Sequence, residues 1–324
     1  MRSIEALREL FNQYLQDNLL QGEPSNLYEP CNYFLQIGGK RLRPTLLLLA
    51  NELFGGHAED ALPAALAIEY FHNFTLIHDD VMDKAPVRRG FVTVHEKYNL
   101  NTAILSGDTL LIKAYQCLNK VDERCFKKIV EVYTQTAIEV CEGQQYDIDF
   151  ETSEDVSHEA YIEMIRLKTA VLLAASMKIG AILGNADDKD ADLLYTYAEN
   201  LGIGFQIQDD ILDCYGDEQL VGKQPGGDII QNKKTLLLIE AMRLCRAQND
   251  HRLDILTEST GIGNAEKVKE TLTIFEEYKI KPFGTEQRNF YIEQSLQALE
   301  QLNLTEDKKT VLKQLVDYLV LRSF

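Results

Sequence analysis

Two aspartate-rich segments of the sequence have the same spacing and could bind a divalent metal ion. Each has the pattern DDxxD, formed by Asp79, Asp80 and Asp83 in HDDVMD and by Asp209, Asp210 and Asp213 in QDDILD. On a helix the first and last aspartates of each pattern lie four residues apart and point to one side. The middle aspartate is rotated away by about 100°. Roughly a tenth of a chance DDxxD is expected in a chain of this composition, so the repetition indicates a shared function.

The chemistry of these side chains favours magnesium. Mg²⁺ binds hard oxygen ligands, usually one or two carboxylates, and takes its remaining ligands from water and from substrate phosphate. Zinc would require histidine or cysteine ligands, and neither residue type clusters near these aspartates. The segments therefore predict a magnesium-bound, phosphorylated ligand, with Mn²⁺ as a substitute metal. The alternative for either segment alone is a solvated acidic helix end.

Basic residues are concentrated in three loops that could bind the phosphate oxygens. They are Lys40, Arg41 and Arg43 in GGKRLRP, Arg88 and Arg89 in APVRRG, and Lys223, Lys233 and Lys234 in GKQPGGDIIQNKKT. Arginine forks pair with phosphate oxygens, and lysines add point charge. A single run of this kind is usually a solvated surface loop. Two of the three runs directly follow an aspartate segment, which favours diphosphate binding.

The elements that must position these residues are helices. No proline lies between Pro86 and Pro225, and apolar residues recur there at three- and four-residue steps. The flanking segments have the same periodicity, so we expect an all-α protein of ten or more helices. Only FVTVHEKY alternates like a strand. The predicted N-cap residues are Asn99, Ser157, Asn264 and Thr305.

The bulk composition limits the classes of function. The 324 residues carry a formal charge of −18, which argues against binding to nucleic acid or to an anionic membrane. No linker divides the chain, so we expect a single domain over residues 1–324. The amphipathic, acid-containing first segment does not resemble a signal peptide. Together with six scattered cysteines, this predicts a soluble cytoplasmic protein without stable membrane insertion.

Six ordered motifs resemble those of the trans-isoprenyl diphosphate synthases, also called polyprenyl synthetases. They are GGKRLRP, HDDVMDKAPVRRG, GQQYD, LKTA, GFQIQDDILD and GKQPGGDIIQNKKT. The last 80 residues match only in helical character. The resemblance implies an isoprenoid synthase-type helical bundle around a deep central cavity, usually as a homodimer. It also implies a prenyltransferase that joins isopentenyl diphosphate to an allylic diphosphate, which is dimethylallyl, geranyl or farnesyl diphosphate.

The same resemblance implies roles for individual residues. Asp79 and Asp83, supported by Asp80, would bind two Mg²⁺ ions, and Asp209, with Asp210 and Asp213 nearby, would bind a third. The residues expected to bind isopentenyl diphosphate are Lys40, Arg43, His72 and Arg89. Those expected to reach the allylic diphosphate are Arg88, Lys168, Lys223 and Lys233. Without the resemblance, His72 would be interpreted as an ordinary core histidine.

Catalysis in this family proceeds by ionisation of the allylic C–O bond, attack by the isopentenyl double bond and loss of a proton. The resemblance places Thr169 and Gln206 beside the developing cation, while Gln144 and Asp147 line the same cavity. Gln206 precedes Asp209 by three residues and so shares its helix face. Without the resemblance, Lys168 and Thr169 would be interpreted as ordinary helix residues.

The helix that precedes the first aspartate segment could set the chain length of the product. Phe74 lies five residues before Asp79, about 7.5 Å along a helix axis, and Phe71 lies about 12 Å away. A phenylalanine ring that blocks the growing chain at that depth, here called the floor, predicts a product of C15 to C20. In this family, a small residue at the position of Thr75 and a DDVMD segment without an insertion favour geranylgeranyl diphosphate as the product, with farnesyl diphosphate next. The alternative is that both phenylalanines belong to the core.

Two other functions are compatible with part of the pattern. Class I terpene cyclases share the helical fold and one aspartate motif, but they usually carry a different second motif and lack GGKRLRP. A non-catalytic subunit of a heteromeric synthase usually loses one aspartate segment, and this chain keeps both. Chain elongation is therefore the favoured interpretation.

Overall fold

The fold is almost entirely helical in the computed structural model, which describes residues 1–153, 155–216, 226–259 and 261–321. This agrees with the all-α prediction. Among the described residues, no helix is long and apolar enough to cross a membrane. The chain is organised as two compact units, residues 1–134 with 175–192 and residues 135–174 with 193–324.

The first unit is built around two long helices. Its elements, in order, are α1 (Ile4–Asp17), α2 (Ser25–Gln36), α3 (Leu42–Leu53), α4 (Ala58–Met82), β1 (Val87–Arg88), β2 (Phe91–Val92), α5 (Val94–Lys97) and α6 (Leu100–Leu118). Helix α4 packs against α3 and α6, α2 packs against α6, and α1 packs against α3. Because α3 is apolar on nearly all sides, it is buried among its neighbours.

The two strands form a small antiparallel hairpin directly after α4. Val87 pairs with Val92 and Arg88 pairs with Phe91, so Arg89 and Gly90 form the two-residue turn. Both turn residues have positive φ, as type I′ hairpin turns require. The strand-like alternation noted in the sequence yields only the strand Phe91–Val92, because the residues after it form α5.

Three elements contain residues of both units. They are α7 (Glu123–Thr152), α9 (Val171–Leu183) and α10 (Asp188–Tyr215). Helix α8 (His158–Ile165) is followed by a π-helical segment, Arg166–Ala170, which leads into α9. The helical periodicity between Pro86 and Pro225 gave no sign of an interruption there. The π-helical segment inserts a wider turn at the position of Lys168 and Thr169.

The rest of the second unit consists of shorter helices around an apolar core. They are α11 (Gly227–Ile230), α12 (Leu236–Ala247), α13 (Arg252–Glu258), α14 (Asn264–Glu277), α15 (Ile280–Gln301) and α16 (Glu306–Val316). A second π-helical segment, Asp317–Leu321, follows α16. Helix α12 packs against α8, α13 and α15, and its apolar residues join those of α8 and α10 in one buried cluster.

Helix caps account for several boundaries. Asn99 and Ser157 accept hydrogen bonds from the backbone N–H groups of Thr102 and Ala160, at 2.9 and 3.1 Å, as predicted. Thr305 occupies the predicted cap position of α16. The prediction for Asn264 is wrong by one position, because Gly263 is the cap residue and Asn264 begins the helix.

Candidate active site

The first aspartate cluster lies at the C-terminal end of α4, as the sequence predicted. Asp83 is the C-cap residue, and its N–H donates to the carbonyl oxygen of Asp79 at 2.8 Å. The two side chains therefore share one face. Asp79 is half-buried and Asp83 is exposed. This helix end carries partial negative charge, which favours a cation beside the two carboxylates.

Asp80 points away from that face and contacts the hairpin. Its side chain is 1% exposed, and Oδ1 accepts a hydrogen bond from Nε of Arg88 at 2.7 Å. Burial raises the pKa of Asp80, while the positive charge of Arg88 opposes that shift. Its Oδ2 is buried without a hydrogen-bond partner among the described residues. Asp80 thus fixes the arginine that follows the aspartate segment.

Arg89 connects the hairpin to the glycine-rich loop before α3. Its guanidinium donates a hydrogen bond to the carbonyl oxygen of Gly38. A Cβ atom at Gly39 would lie 2.6 Å from Nη1 of Arg89, so a side chain there would displace the guanidinium. The structure therefore brings together two of the three basic runs within the first unit. Lys40 is exposed in this loop.

His72 lies beside this basic group on α4. Nη1 of Arg43 is 3.2 Å from Nε2 of His72. Since a guanidinium can only donate hydrogen bonds, Nε2 is the acceptor and the ring proton is on Nδ1. Burial and the charges of the neighbouring arginines, Arg43 foremost, hold the pKa of His72 well below its usual value. Burial also lowers the pKa of Arg43 to about 10.

Arg41 has a structural role in the same loop. It is buried, has left-handed backbone conformation at the N-cap of α3, and donates hydrogen bonds to Glu69 and to the carbonyl oxygen of Leu35. Glu69 also accepts from the amide of Asn73 at 2.9 Å. This network attaches the loop to α4 and thereby positions its neighbours.

A column of aromatic rings runs along α4 away from the first aspartate cluster. Phe74 lies 4.8 Å from His78 and 5.6 Å from Phe71, and Phe71 lies 5.5 Å from Tyr133 of α7 (distances between ring centroids). Phe71 and Tyr133 are fully buried, whereas Phe74 is half-buried. Phe71 is therefore a core residue, and Phe74 retains an accessible surface. Thr75 is half-buried, and its hydroxyl donates to the carbonyl oxygen of His72 at 2.9 Å.

The second aspartate cluster lies near the C-terminal end of α10, in the second unit. Asp209 is exposed and Asp213 is half-buried. Oδ2 of Asp213 accepts a hydrogen bond from the N–H of Asp228 at 2.9 Å, which ties the cluster to α11. The outer aspartates thus keep accessible surface, as their counterparts on α4 do.

Asp210, the middle residue, is buried and hydrogen-bonded. The hydroxyl of Tyr161 donates to Oδ2 at 2.5 Å, and the amide of Gln206 donates to Oδ1 at 3.3 Å. Burial raises the pKa of Asp210 to about 7, whereas the Tyr161 hydrogen bond and the charge of Lys233 act in the opposite direction. The sequence did not single out Tyr161. The one sequence feature that could have indicated Tyr161 is its position two helical turns before Lys168.

The π-helical segment places the remaining catalytic candidates beside α7 and α10. Nζ of Lys168 donates to Asp147 at 2.5 Å, and the Thr169 hydroxyl donates to Oε1 of Gln206 at 3.4 Å. Gly143 of α7 faces this segment, and a Cβ atom there would lie 2.3 Å from the backbone nitrogen of Lys168.

Two further residues from the sequence interpretation belong to this unit. Gln144 is half-buried on α7, one residue after the glycine that faces the π-helical segment. Lys233 is exposed, and its charge reaches Asp210. Lys223 lies outside the described residues.

Comparisons with known proteins agree on one family. A sequence model of the family described as Polyprenyl synthetase matches residues 24–275. A geranylgeranyl diphosphate synthase from Methanosarcina mazei is 40% identical over 303 residues, which cover 93% of this chain and 91% of that protein. A geranylfarnesyl diphosphate synthase from Natronomonas pharaonis is 36% identical, with 99% and 97% covered. A crystal structure of geranylgeranyl pyrophosphate synthase has a TM-score of 0.95 at 40% identity, with both chains fully covered.

Proposed function

The chain belongs to the polyprenyl synthetase family, and we propose that it joins isopentenyl diphosphate head to tail (1′–4) to an allylic diphosphate and releases geranylgeranyl diphosphate. It is a prenyltransferase that makes a short-chain prenyl diphosphate. The observation that carries the proposal is the contact between the glycine-rich loop and the hairpin, which joins Arg89 to Gly38 beside Arg43 and His72. This arrangement would provide an anion site beside the helix that carries the first aspartate cluster.

The oxygen donors of both clusters fit magnesium. The outer aspartates, Asp79 with Asp83 and Asp209 with Asp213, keep accessible carboxylates. The described residues contain no group of three or more Asp, Glu, His or Cys side chains that could enclose a metal. Mg²⁺ takes few protein ligands and relies on substrate phosphate and water, so two accessible carboxylates in each cluster would be enough. We propose these four residues as the ligands of three ions, and bound magnesium would neutralise the charge of the leaving diphosphate.

The basic residues would divide between the two substrates. In the first unit, Lys40, Arg43, His72 and Arg89 would bind isopentenyl diphosphate, and Arg88, held by Asp80, would bind the allylic diphosphate. In the second unit, Lys168, held by Asp147, would bind the same diphosphate together with Lys233. Lys223, which lies outside the described residues, is proposed for the same role from the sequence resemblance. Because the pKa of His72 is held well below its usual value, the ring would donate through Nδ1 without adding charge. Preorganised donors of this kind stabilise charge that develops on a leaving group.

The reaction itself requires few functional groups. The allylic C–O bond ionises, the isopentenyl double bond attacks the cation, and a proton is lost, for which the departed diphosphate is the proposed acceptor. The hydroxyl of Thr169 and the carbonyl oxygen of Gln206 would stabilise the cation without capturing it. Their mutual contact at 3.4 Å supports a common role.

The aromatic column on α4 supports the proposed product length. Phe74 has accessible surface and is supported from behind by Phe71 and Tyr133. We propose Phe74 as the floor that stops elongation at C20. The name of the relative from Natronomonas pharaonis indicates a product one isoprene unit longer, so farnesyl and geranylfarnesyl diphosphates are the products to distinguish from C20.

We further propose that residues 1–324 act as one domain, because three helices contain residues of both units, and that the protein forms a homodimer in the cytoplasm. Helix α6 supports the dimer, since Leu100, Ile104, Leu105 and Ile112 are exposed on one of its faces. Such an apolar face is typical of a protein interface. The strongly negative net charge argues against a nucleic-acid partner.

One incubation tests the proposed function. The purified protein, Mg²⁺ and labelled isopentenyl diphosphate would be combined with dimethylallyl, geranyl or farnesyl diphosphate in turn, and the products separated by chain length. We expect a C20 product from each primer and none when Mg²⁺ is chelated. A cyclic hydrocarbon would indicate a terpene cyclase, and no turnover with any primer would indicate a non-catalytic subunit.

A further inference from the structure

Four side chains of the second unit form a continuous series of hydrogen bonds. Tyr161 donates to Oδ2 of Asp210 at 2.5 Å, Nε2 of Gln206 donates to Oδ1 of Asp210 at 3.3 Å, and the hydroxyl of Thr169 donates to Oε1 of Gln206 at 3.4 Å. These residues come from α8, the π-helical segment and α10. The series therefore connects a buried tyrosine to the two groups assigned above to the cation.

The donors and acceptors in the structure give the direction of the series. Nε2 of Gln206 donates to Oδ1 of Asp210, so the amide turns its NH₂ group towards the carboxyl group. Its carbonyl oxygen then faces Thr169. The reversed amide would place Oε1 against a carboxylate oxygen, where two acceptors repel each other, and would offer an N–H dipole to the cation.

We propose that Asp210, held in place by Tyr161, is a positioning residue that keeps the carbonyl oxygen of Gln206 directed at the allylic cation. This inference rests on the proposed function. It assigns the middle aspartate of the second cluster to the organic cation, whereas the outer aspartates Asp209 and Asp213 serve the diphosphate.

The burial of the pair makes this positioning effective. Tyr161 is 1% exposed and Asp210 is 3% exposed, so neither side chain can exchange its partner for bulk water. Because Tyr161 occupies Oδ2, Oδ1 is the oxygen left for Gln206. Hydrogen bonds in such surroundings are stronger than in water and hold one orientation.

The test compares the binding of two unreactive allylic diphosphate analogues in the presence of Mg²⁺. One carries an ammonium nitrogen at the position of the cationic carbon, and the other is its uncharged carbon isostere. Because both carry the same diphosphate, any change in metal binding cancels in the ratio of their dissociation constants. We expect the wild-type protein to prefer the charged analogue.

Asp210→Asn should reduce this preference about tenfold, the size of a lost hydrogen bond to a charged group. Asparagine can donate to Oε1 of Gln206 and thereby reverse the amide. Gln206→Leu should reduce the preference as much, and the double variant should lose no more. Tyr161→Phe, which preserves the shape of the side chain, should lose about threefold. Tyr197→Phe removes a comparable buried hydrogen bond, to Leu312 at 2.7 Å, and should change nothing.

Each outcome decides a different question. Retention of the wild-type preference in both Asp210→Asn and Tyr161→Phe would overturn the positioning role. A wild-type protein that binds both analogues equally would also overturn it, while leaving the proposed function intact. A wild-type protein that binds neither analogue with Mg²⁺ would instead contradict the proposed function.

Discussion

Single residues within each aspartate cluster divide into two kinds. The middle aspartates, Asp80 and Asp210, are buried and hydrogen-bonded to Arg88 and Tyr161, whereas the outer aspartates keep accessible surface. Helical spacing alone predicted that the middle residue points elsewhere. It could not predict the partners, because those depend on how a separate element packs against the helix.

The outer aspartates should be essential for turnover. Replacing Asp79 or Asp209 with alanine removes a proposed metal ligand and should lower kcat/KM at least about a hundredfold, measured with labelled isopentenyl diphosphate. Asp17→Ala is the matched control, since Asp17 is also an aspartate at the C-terminal end of a helix. Near wild-type turnover in either site variant would remove the metal-binding role.

His72 should make folding sensitive to mildly acidic pH. Its pKa is depressed in the folded protein, whereas the unfolded chain titrates near about 6.5. Below that pH the unfolded chain binds a proton that the folded protein does not bind. The stabilising contribution of His72 is therefore present above about pH 6.5 and is lost as the pH falls further. The slope for one proton is at most about 1.4 kcal/mol per pH unit.

The measurement is urea unfolding of metal-free protein between pH 7 and pH 5. His72→Gln keeps an acceptor for Arg43 but cannot titrate, so it should lose about 2 kcal/mol less unfolding free energy over this range than wild type. His251→Gln, at an exposed histidine, should follow the wild-type curve. A His72→Gln curve parallel to wild type would show that His72 contributes nothing to the pH dependence.

At the scale of elements, the π-helical segment Arg166–Ala170 is the feature that sequence reasoning missed. The apolar periodicity of AYIEMIRLKTAVLLAASMKIGAIL continues through it, so the pattern predicts an unbroken helix. The wider turn accompanies a close approach of α7 at Gly143. Packing between separate elements leaves no signal in local periodicity, whereas the ends of α4 and α10 were predictable from the sequence alone. π-helical turns occur frequently at functional sites.

Gly143→Ala tests the importance of that approach. In a helix interior this change would normally stabilise by up to about 1 kcal/mol. Here the new Cβ would lie 2.3 Å from the backbone nitrogen of Lys168, and rigid backbone cannot yield cheaply. We expect a loss of about 1–3 kcal/mol in unfolding free energy, measured by urea titration, and a lower kcat. Gly261→Ala, where a Cβ meets nothing within 4 Å, should be neutral. A stabilised, fully active Gly143→Ala would contradict the role of this contact.

Helix α4 should determine the chain length of the product. Phe74→Ala removes the accessible ring, while Phe71 and Tyr133 remain behind it. We therefore expect the product to lengthen by one isoprene unit, from C20 to C25, as read by product chromatography. Phe290→Ala, at an exposed phenylalanine, should leave the length unchanged. An unaltered product from Phe74→Ala would show that this residue is not the floor.

At the scale of the whole molecule, the class of reaction followed from the sequence because its motifs are local and ordered. The oligomeric state did not, since an apolar residue on a predicted helix can face either the core or a partner. The structure separates these cases on α6, where the side chains of Leu105 and Ile112 are 55% and 60% exposed.

This exposure makes the proposed homodimer testable. Glutamate at both Leu105 and Ile112 would place charges on an apolar face that is already outside the core, so the fold should survive while association is lost. We expect light scattering with size-exclusion chromatography to give about twice the chain mass of 36.9 kDa for wild type and the chain mass for the variant. Ile255→Glu, at an equally exposed isoleucine of α13, should remain dimeric. A variant that is folded by circular dichroism and still dimeric would place the interface on another surface, and a monomeric wild type would exclude the dimer altogether.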